Sequence, residues 1–456
     1  MQDRVLITGP VGNWAVLDRS AFESAVMSRR ATQETAALLQ ERGFSTAEPA
    51  TENSVARMRR RLAPLFKGPS HHALVVTTRP APGAPGMDMP LDLAERVVDT
   101  AFMSTHPRIT LELCGGEPLA AFDVVRHAVD YARKKNLLAR KFLGFVLHTG
   151  LQGLNDEQVR WLADERVRLR VPFVGPAELH DAVAAEFGGG PAALVERWAP
   201  LLRAAYLEAG VASDDAHLSL WLPMVGSAAR RADAVLAAYT RVGAFCLDVS
   251  PFAPIPLALT AESTPLATPE LFSRAYSELL HELLARSTSP RVERTACDLL
   301  RRIQGDDIAT DTLWRAPSSA GLGELAYAPD GLVFATRKGY ALHMGGDSTF
   351  ALADVRRSGY HDIVTHPTVR ALAVASALES HPEWLSSAYA PYLCTSPVDA
   401  YLEQGSVHGR LRELSGVLRQ EGMLDAIFAV LAGPNDTKRA ALDGWVAHCQ
   451  DTSFYE

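Results

Sequence analysis

The sequence predicts an α/β fold built on an open, partial (β/α)6 TIM-like barrel, and three observations predict it. Between residues 72 and 287, apolar β-type runs alternate with amphipathic helical stretches six times. The links between them are short, which calls for a parallel sheet with right-handed crossovers. No further pairs follow to complete a closed eight-unit ring. In such a sheet, functional groups gather at the carboxyl ends of the strands.

The chain opens with Arg4-Val5-Leu6-Ile7-Thr8 and Asn13-Trp14-Ala15-Val16-Leu17 around Gly9-Pro10-Val11-Gly12, a β-hairpin pattern. Helical patterns follow over Arg19 to Ser28, Thr32 to Arg42 and Ser54 to Pro64. The barrel strands are read as His72 to Arg79, Arg108 to Cys114, Lys141 to Thr149, Arg166 to Val174, His217 to Met224 and Ala244 to Val249. Their helices are Leu91 to Met103, Leu119 to Asn136, Asp156 to Asp164, Ala192 to Ala209, Arg230 to Val242 and Pro269 to Arg286. Further helices are expected over Arg291 to Arg302, Thr368 to Glu379, Val407 to Arg419 and Leu424 to Leu431. Lys67-Gly68-Pro69-Ser70 and Gly305-Asp306-Asp307 are the natural boundaries. They divide the chain into an N-terminal unit (1–66), the barrel (67–305) and a C-terminal extension (306–456).

At 456 residues, 47% hydrophobic and 21% charged, the chain has a globular composition and can bury a large core. A net charge of −8 speaks against a nucleic-acid or anionic-membrane surface. No apolar run approaches the roughly 20 residues a membrane span needs. Met1-Gln2-Asp3-Arg4 leads into a strand rather than a signal-peptide core, so a cytoplasmic location is expected. The five cysteines are isolated, with no C-x-x-C, and read as buried or free thiols.

The stretch that organises the barrel is Leu113-Cys114-Gly115-Gly116-Glu117-Pro118-Leu119. Two glycines allow a tight turn and close backbone approach, and Pro118 sets the first turn of the helix. Other segments carry motifs at strand exits: Val75-Val76-Thr77-Thr78-Arg79, Thr149-Gly150-Leu151, Gly175-Pro176-Ala177-Glu178-Leu179-His180-Asp181 and Ser250-Pro251-Phe252. In the extension, Ala320 to Phe334 reads as a hairpin, while Tyr389 to Tyr392 and Pro397 to Gly405 form a closing pair of motifs.

Together these segments resemble the radical SAM maturases with a SPASM-type extension, most of all those of His-Xaa-Ser peptide systems. The resemblance implies that Gly115, Gly116, Glu117 and Pro118 form the turn for the amino group of S-adenosylmethionine (SAM). It also implies that the hairpin unit resembles leader-peptide recognition units, in which an edge strand captures an extended peptide. A plain extension packed on the barrel is the competing reading of that unit. Thr78, His148, Thr149, His180 and Asp248 are the candidate cleft residues.

The departures from that family are as telling. Aligned on Thr77-Thr78-Arg79, the three cluster cysteines would fall at Pro80, Ala84 and Met87. In the extension, Ser318, Thr336, Leu393 and Ser396 stand where cysteines are expected. Three thiolates in one loop hold the [4Fe–4S] cluster that delivers the electron to SAM, so radical catalysis is not expected. No iron–sulfur cluster and no required cofactor are therefore expected, with SAM the one ligand the retained turn can still take. That turn persists either for SAM or nucleotide binding or because the fold needs it, and the latter is preferred.

Replacement chemistry finds little support. There is no H-E-x-x-H, G-x-S-x-G, Walker loop or G-x-G-x-x-G after a strand. His71-His72 is read as facing solvent or a partner, while His361 and His366 fit no metal template. His148 and His180 are more simply hydrogen-bonded structural histidines. Glu112 lies within a strand and makes no acid–base pair with Glu117, and the direction of Asp248 stays open. The resulting expectation is a pseudoenzyme that holds a precursor peptide or docks a modifying enzyme, as part of a heteromer. The alternative is a repurposed enzyme in the same barrel, binding SAM without a cluster or using histidine-bound metal.

Overall fold

The structure, a computed structural model, describes residues 3–9, 12–44, 67–211, 217–252, 266–286, 292–304 and 315–448. Strands β1 (Arg4–Thr8) and β2 (Trp14–Asp18) form the expected antiparallel hairpin, with Arg4 opposite Asp18. Helix α1 (Gln33–Glu41) follows, its first turn capped by the Thr32 hydroxyl. The expected helix over Ser54 to Pro64 and the boundary at Gly305 lie outside the described residues.

Six parallel strands make the partial barrel: β3 (His71–Thr77), β4 (Arg108–Gly115), β5 (Phe142–His148), β6 (Arg168–Pro172), β7 (Leu218–Leu222) and β8 (Cys246–Val249). The helices between and after them are α2 (Leu91–Phe102), α3 (Phe122–Ala139), α4 (Asp156–Asp164), α5 (Ala192–Glu208), α6 (Ala232–Arg241) and α7 (Pro269–Ala285). Burial on both faces explains the near-continuous apolar run of β3, for Leu74 and Val76 on one face are fully buried and Ala73 and Val75 on the other are 4% and 2% exposed. Asn155 and Gln158 close a capping box that starts α4 at the expected residue. The helix expected from Leu119 opens instead as a 3-10 turn (Pro118–Ala121), because the Glu117 carboxylate accepts from the Leu119 amide.

The sheet does not stop at six strands. β9 (Val292–Glu293) adds in parallel to β8, and β10 (Glu324–Tyr327) adds in parallel to β3. β11 (Leu332–Phe334) and β12 (Ala351–Asp354) then continue antiparallel, giving the order β12-β11-β10-β3-β4-β5-β6-β7-β8-β9. The sheet is therefore open, and the extension is hydrogen-bonded into the barrel wall. His72 sits at that junction, fully buried, with Nδ1 3.0 Å from the Tyr327 hydroxyl. It faces neither solvent nor a partner, and burial pushes it down to about 3.

Helix α8 (Arg294–Ile303) follows β9, and α9 (Arg337–Met344), α10 (Pro367–Ala375), α11 (Pro397–Gln404), α12 (Ser415–Leu431) and α13 (Asp436–His448) belong to the extension. Of the helix expected over Val407 to Arg419, only Ser415 to Arg419 is helical, as the start of α12. Gly405 takes φ +71° and ends α11, and only a short turn (Leu411–Glu413) precedes α12. The Leu411–Leu414 stripe is nonetheless core, at 3% exposure each. Cys114, Cys246 and Cys394 are buried free thiols, whereas Cys297 is disulfide-bonded. Among the described residues, no helix is long and apolar enough to cross a membrane.

Candidate binding cleft

The turn after β4 is held by its own chain. Gly116 N donates to Thr77 O at 3.0 Å and Glu117 N to Arg79 O at 2.6 Å. A Cβ on Gly115 would lie 2.1 Å from Thr77 O, and one on Gly116 would lie 2.1 Å from Arg79 O. Gly115 also takes φ +132°, so backbone contact with the preceding strand is enough to require both glycines.

Glu117 is fully buried beneath this turn. It accepts from Leu119 N at 3.1 Å, Thr149 Oγ1 at 2.7 Å, Gly150 N at 2.9 Å and Gln152 N at 3.2 Å. Burial pushes its carboxyl up to about 7, against the pull of those four donors. It ties the exit of β4 to the exit of β5 and has no contact left for a substrate.

The loop from Thr78 to Asp88 is tied shut at its base. Asp88 Oδ1 accepts from Thr77 Oγ1 at 2.6 Å and Arg79 Nε at 2.9 Å, and a second Arg79 nitrogen pairs with Asp88 Oδ2. Thr78 N donates to Met87 O at 2.9 Å.

Over the strand ends lies a cavity of about 420 Å3. Thr77, Thr78, Gly115, Gly116, His148 and Thr149 form its barrel side. Phe187, Trp221 and Phe252 give it aromatic walls, and Ser318, Thr336, Arg337, Lys338, Ser396 and Asp399 close it from the extension. Its size falls in the range of about 300–1,000 Å3 typical of small-molecule and cofactor sites.

A charged cluster sets its floor. His148 Nε2 lies 3.0 Å from Glu112 Oε2, and Arg337, reaching in from α9, donates to His148 Nδ1 at 3.1 Å. Arg337 is 3.6 Å from Glu112 Oε2. Burial works against charge on Glu112, yet the Arg337 charge and the His148 hydrogen bond hold it well below the usual carboxylate range. Burial, reinforced by Arg337, pushes His148 down to about 4, so it stays neutral. Nearby, Arg170 pairs with Asp248 at 3.2 Å and stacks its guanidinium 5.8 Å from the Trp221 ring centre.

Of the residues singled out in the sequence, Thr78, His148, Thr149, Gly115, Gly116, Pro80, Ser318, Thr336 and Ser396 meet at this cavity. Asp248 stands behind Arg170, 5% exposed, which settles its direction into the barrel. Pro118 is buried at the start of the 3-10 turn. Ala84 and Met87 are not among the lining residues, and Leu393 is core, at 1% exposure. His180 is not at the cleft either: it accepts from Val174 N at 3.1 Å and its Nε2 lies 2.8 Å from Gly190 O. It is a structural brace in the β6 exit. Sequence reasoning missed Arg170, Arg337, Lys338 and Trp221, whose types and spacing carry no motif.

The donor set does not fit a thiolate-held cluster: the loop from Pro80 to Met87 contains no cysteine. Nor, among the described residues, do three or more His, Cys, Asp or Glu side chains gather as metal ligands. The glycine turn does line a cavity of cofactor size, which fits a small ligand beside Gly115 and Gly116.

No protein-family model and no curated protein matches the chain. Solved structures do. A hexahistidine-tagged anSMEcpe with bound AdoMet superposes with a TM-score of 0.64 at 12% identity, covering 84% of this chain and 100% of that one. Native anSMEcpe with bound AdoMet and the Cp18Cys peptide gives 0.61 at 12% identity, over 82% and 99%. Streptococcus suis SuiB bound to the precursor peptide SuiA gives 0.54 at 10% identity, over 90% and 97%. The shared fold is the partial barrel of the radical SAM type. The expectation of no cofactor for this chain, with SAM only a possible ligand, is corrected: solved structures of the same fold hold AdoMet.

Proposed function

We propose that the barrel mouth is a peptide-holding cleft and that the chain is a peptide-binding or scaffold subunit of a system that modifies ribosomally made peptides. The observation that carries this reading is the convergence of strand exits and extension on one aromatic-walled cavity. Structures of the same fold with bound peptides support it. The absence of radical catalysis by this chain rests on the thiol-free loop.

The N-terminal hairpin offers a second contact. Asn13 and the first three residues of β2, Trp14 to Val16, line a groove of about 790 Å3, facing Leu38 and Arg42 on one side and Leu300 and Ile303 on the other. β2 pairs only with β1 among the described strands, so its other edge is available for strand addition. A leader segment on that edge would leave the following residues free to reach the cleft of the same chain or of an associated enzyme. The test is anisotropy of a fluorescent extended peptide titrated with the protein. Saturable binding that weakens about tenfold in Trp221→Ala is expected; no binding at high micromolar protein rejects the reading.

A second reading is favoured by Gly115 and Gly116 lining the cavity: SAM binds there in a repurposed enzyme. When bound, SAM would supply an electrophilic sulfonium. The turn would orient its amino-acid end, and the Glu112–His148–Arg337 cluster would keep its charge state unchanged around it. Calorimetry with SAM decides this: no heat removes the second reading and leaves the first standing.

A further inference from the structure

Among the described residues, each charge that lines the cavity is balanced by a partner in the chain. Its cationic lining is Arg170 on β6, with Arg337 and Lys338 at the start of α9. Arg170 lies 3.2 Å from Asp248, Arg337 lies 3.6 Å from Glu112, and Lys338 Nζ donates to Asp399. The other lining carboxylate, Glu324, is attracted by Arg315. An anionic guest therefore competes with a resident carboxylate for each cation, and a cationic guest with a resident cation for each carboxylate.

What the cavity leaves open is aromatic surface. Phe187 and Trp221 are part-exposed and meet edge to face, their ring centres 6.1 Å apart at 74°. The Arg170 guanidinium lies 5.8 Å from the Trp221 ring centre, with 21% of its side chain exposed. The Lys338 ammonium lies 5.9 Å from the ring centre of Phe252. With cations already against two of the rings, a lysine or arginine guest meets like charge beside the wall. A flat guanidinium is, by contrast, a stacking platform for a ring. Ring pairs also gain beyond their buried area, because the edge of one faces the negative face of the other. A space of about 420 Å3 is enough for one large side chain.

We propose that the cavity is a slot for one uncharged aromatic side chain of the bound peptide, received against Phe187 and Trp221 and stacked on the Arg170 guanidinium. The proposal rests on the peptide-cleft reading and names the class of peptide that the cleft selects. An aliphatic side chain can fill the slot but gains from area alone.

The experiment is fluorescence anisotropy with the full chain and labelled nonapeptides of Ala and Ser. They differ at the central residue: Ala, Phe, cyclohexylalanine, Lys or Glu. Cyclohexylalanine keeps the carbon skeleton of Phe without its π system, so it separates an aromatic slot from a merely apolar one. Phe is expected to bind about tenfold tighter than Ala and about threefold or more tighter than cyclohexylalanine, with Lys and Glu no tighter than Ala. Trp221→Leu, which keeps an apolar wall, should close the gap between Phe and cyclohexylalanine; an unchanged urea midpoint certifies its fold, and the series on the unsubstituted chain decides alone if it does not fold. Cyclohexylalanine binding as tightly as Phe overturns the aromatic assignment, and Lys or Glu binding as tightly as Phe overturns the neutral one. A gap that survives in a folded Trp221→Leu overturns the placement on this wall. Equal binding across the series overturns the slot and leaves the cleft; failure of every nonapeptide to bind overturns the cleft and the slot together.

Discussion

At the scale of single residues, the cleft contains charged groups whose partners the chain itself supplies. Glu117 looks, in sequence, like a ligand-binding carboxylate in a glycine turn. The four donors that converge on it make it a rivet between two strand exits. Replacing Glu117 with Ala leaves those donors without an acceptor, and a loss of about 3 kcal/mol or more is expected in urea unfolding. The histidines set a pH dependence of opposite origin. His72 and His148 are held neutral down to about 3 and about 4, whereas the unfolded chain takes up protons near 6.5. Their contribution is complete above pH 6.5 and is lost as pH falls towards 4. Glu117, raised to about 7, contributes the opposite slope between about 7 and 4.5. The check is therefore a difference: relative to the unsubstituted chain, His72→Gln should lose less urea midpoint, or gain more, as pH falls from 6.5 to 4. Residue types alone could not disclose these roles. His148 touches Arg337 across 189 positions of sequence, and no local pattern encodes a contact of that span.

At the scale of elements, the strand-to-helix exits were readable because glycine, proline and capping residues act locally. The β4 turn, the Asn155 cap and the six strands follow from such signals. Gly116→Ala would drive a Cβ into Arg79 O, 2.1 Å away, with Arg79 C at 2.5 Å, so backbone must move. A loss of at least about 3 kcal/mol, or no soluble product, is expected. The Arg79–Asp88 clip is softer, with side chains 23% and 39% exposed. Asp88→Ala should cost at most about 1 kcal/mol in stability yet speed proteolysis between Thr78 and Met87. Short elements were not readable. β9 has two residues and β12 four, too few for a periodicity to register. The stripe at Leu411 and Leu414 misled because burial in a packed loop leaves the same spacing as a helix face.

At the scale of the molecule, barrel and extension share one sheet. β10 lies against β3 in register from Glu324–His71 to Tyr327–Leu74, and Arg337 inserts its charge beside Glu112. The linkage predicts that the two parts unfold together, with far-ultraviolet dichroism and tryptophan fluorescence giving one coincident transition. Arg337→Met should destabilise by about 3–5 kcal/mol, because Glu112 would remain buried without its cation, and Glu112→Gln in the same chain should restore much of it. The seam between the two parts was not legible in the sequence, since parallel pairing between residues 71 and 324 leaves no turn behind. The sheet's order has a last consequence. Among the described strands, no hydrogen bond joins β9 to β12, so the wall is a horseshoe rather than a hoop. A hoop keeps its bore by closure. A horseshoe must be braced, and here the brace is the extension: Lys338 lies 5.9 Å from the Phe252 ring centre and Arg419 donates to Pro251 O at 3.2 Å, so the width of the cleft is set by packing rather than by a closed ring of strands.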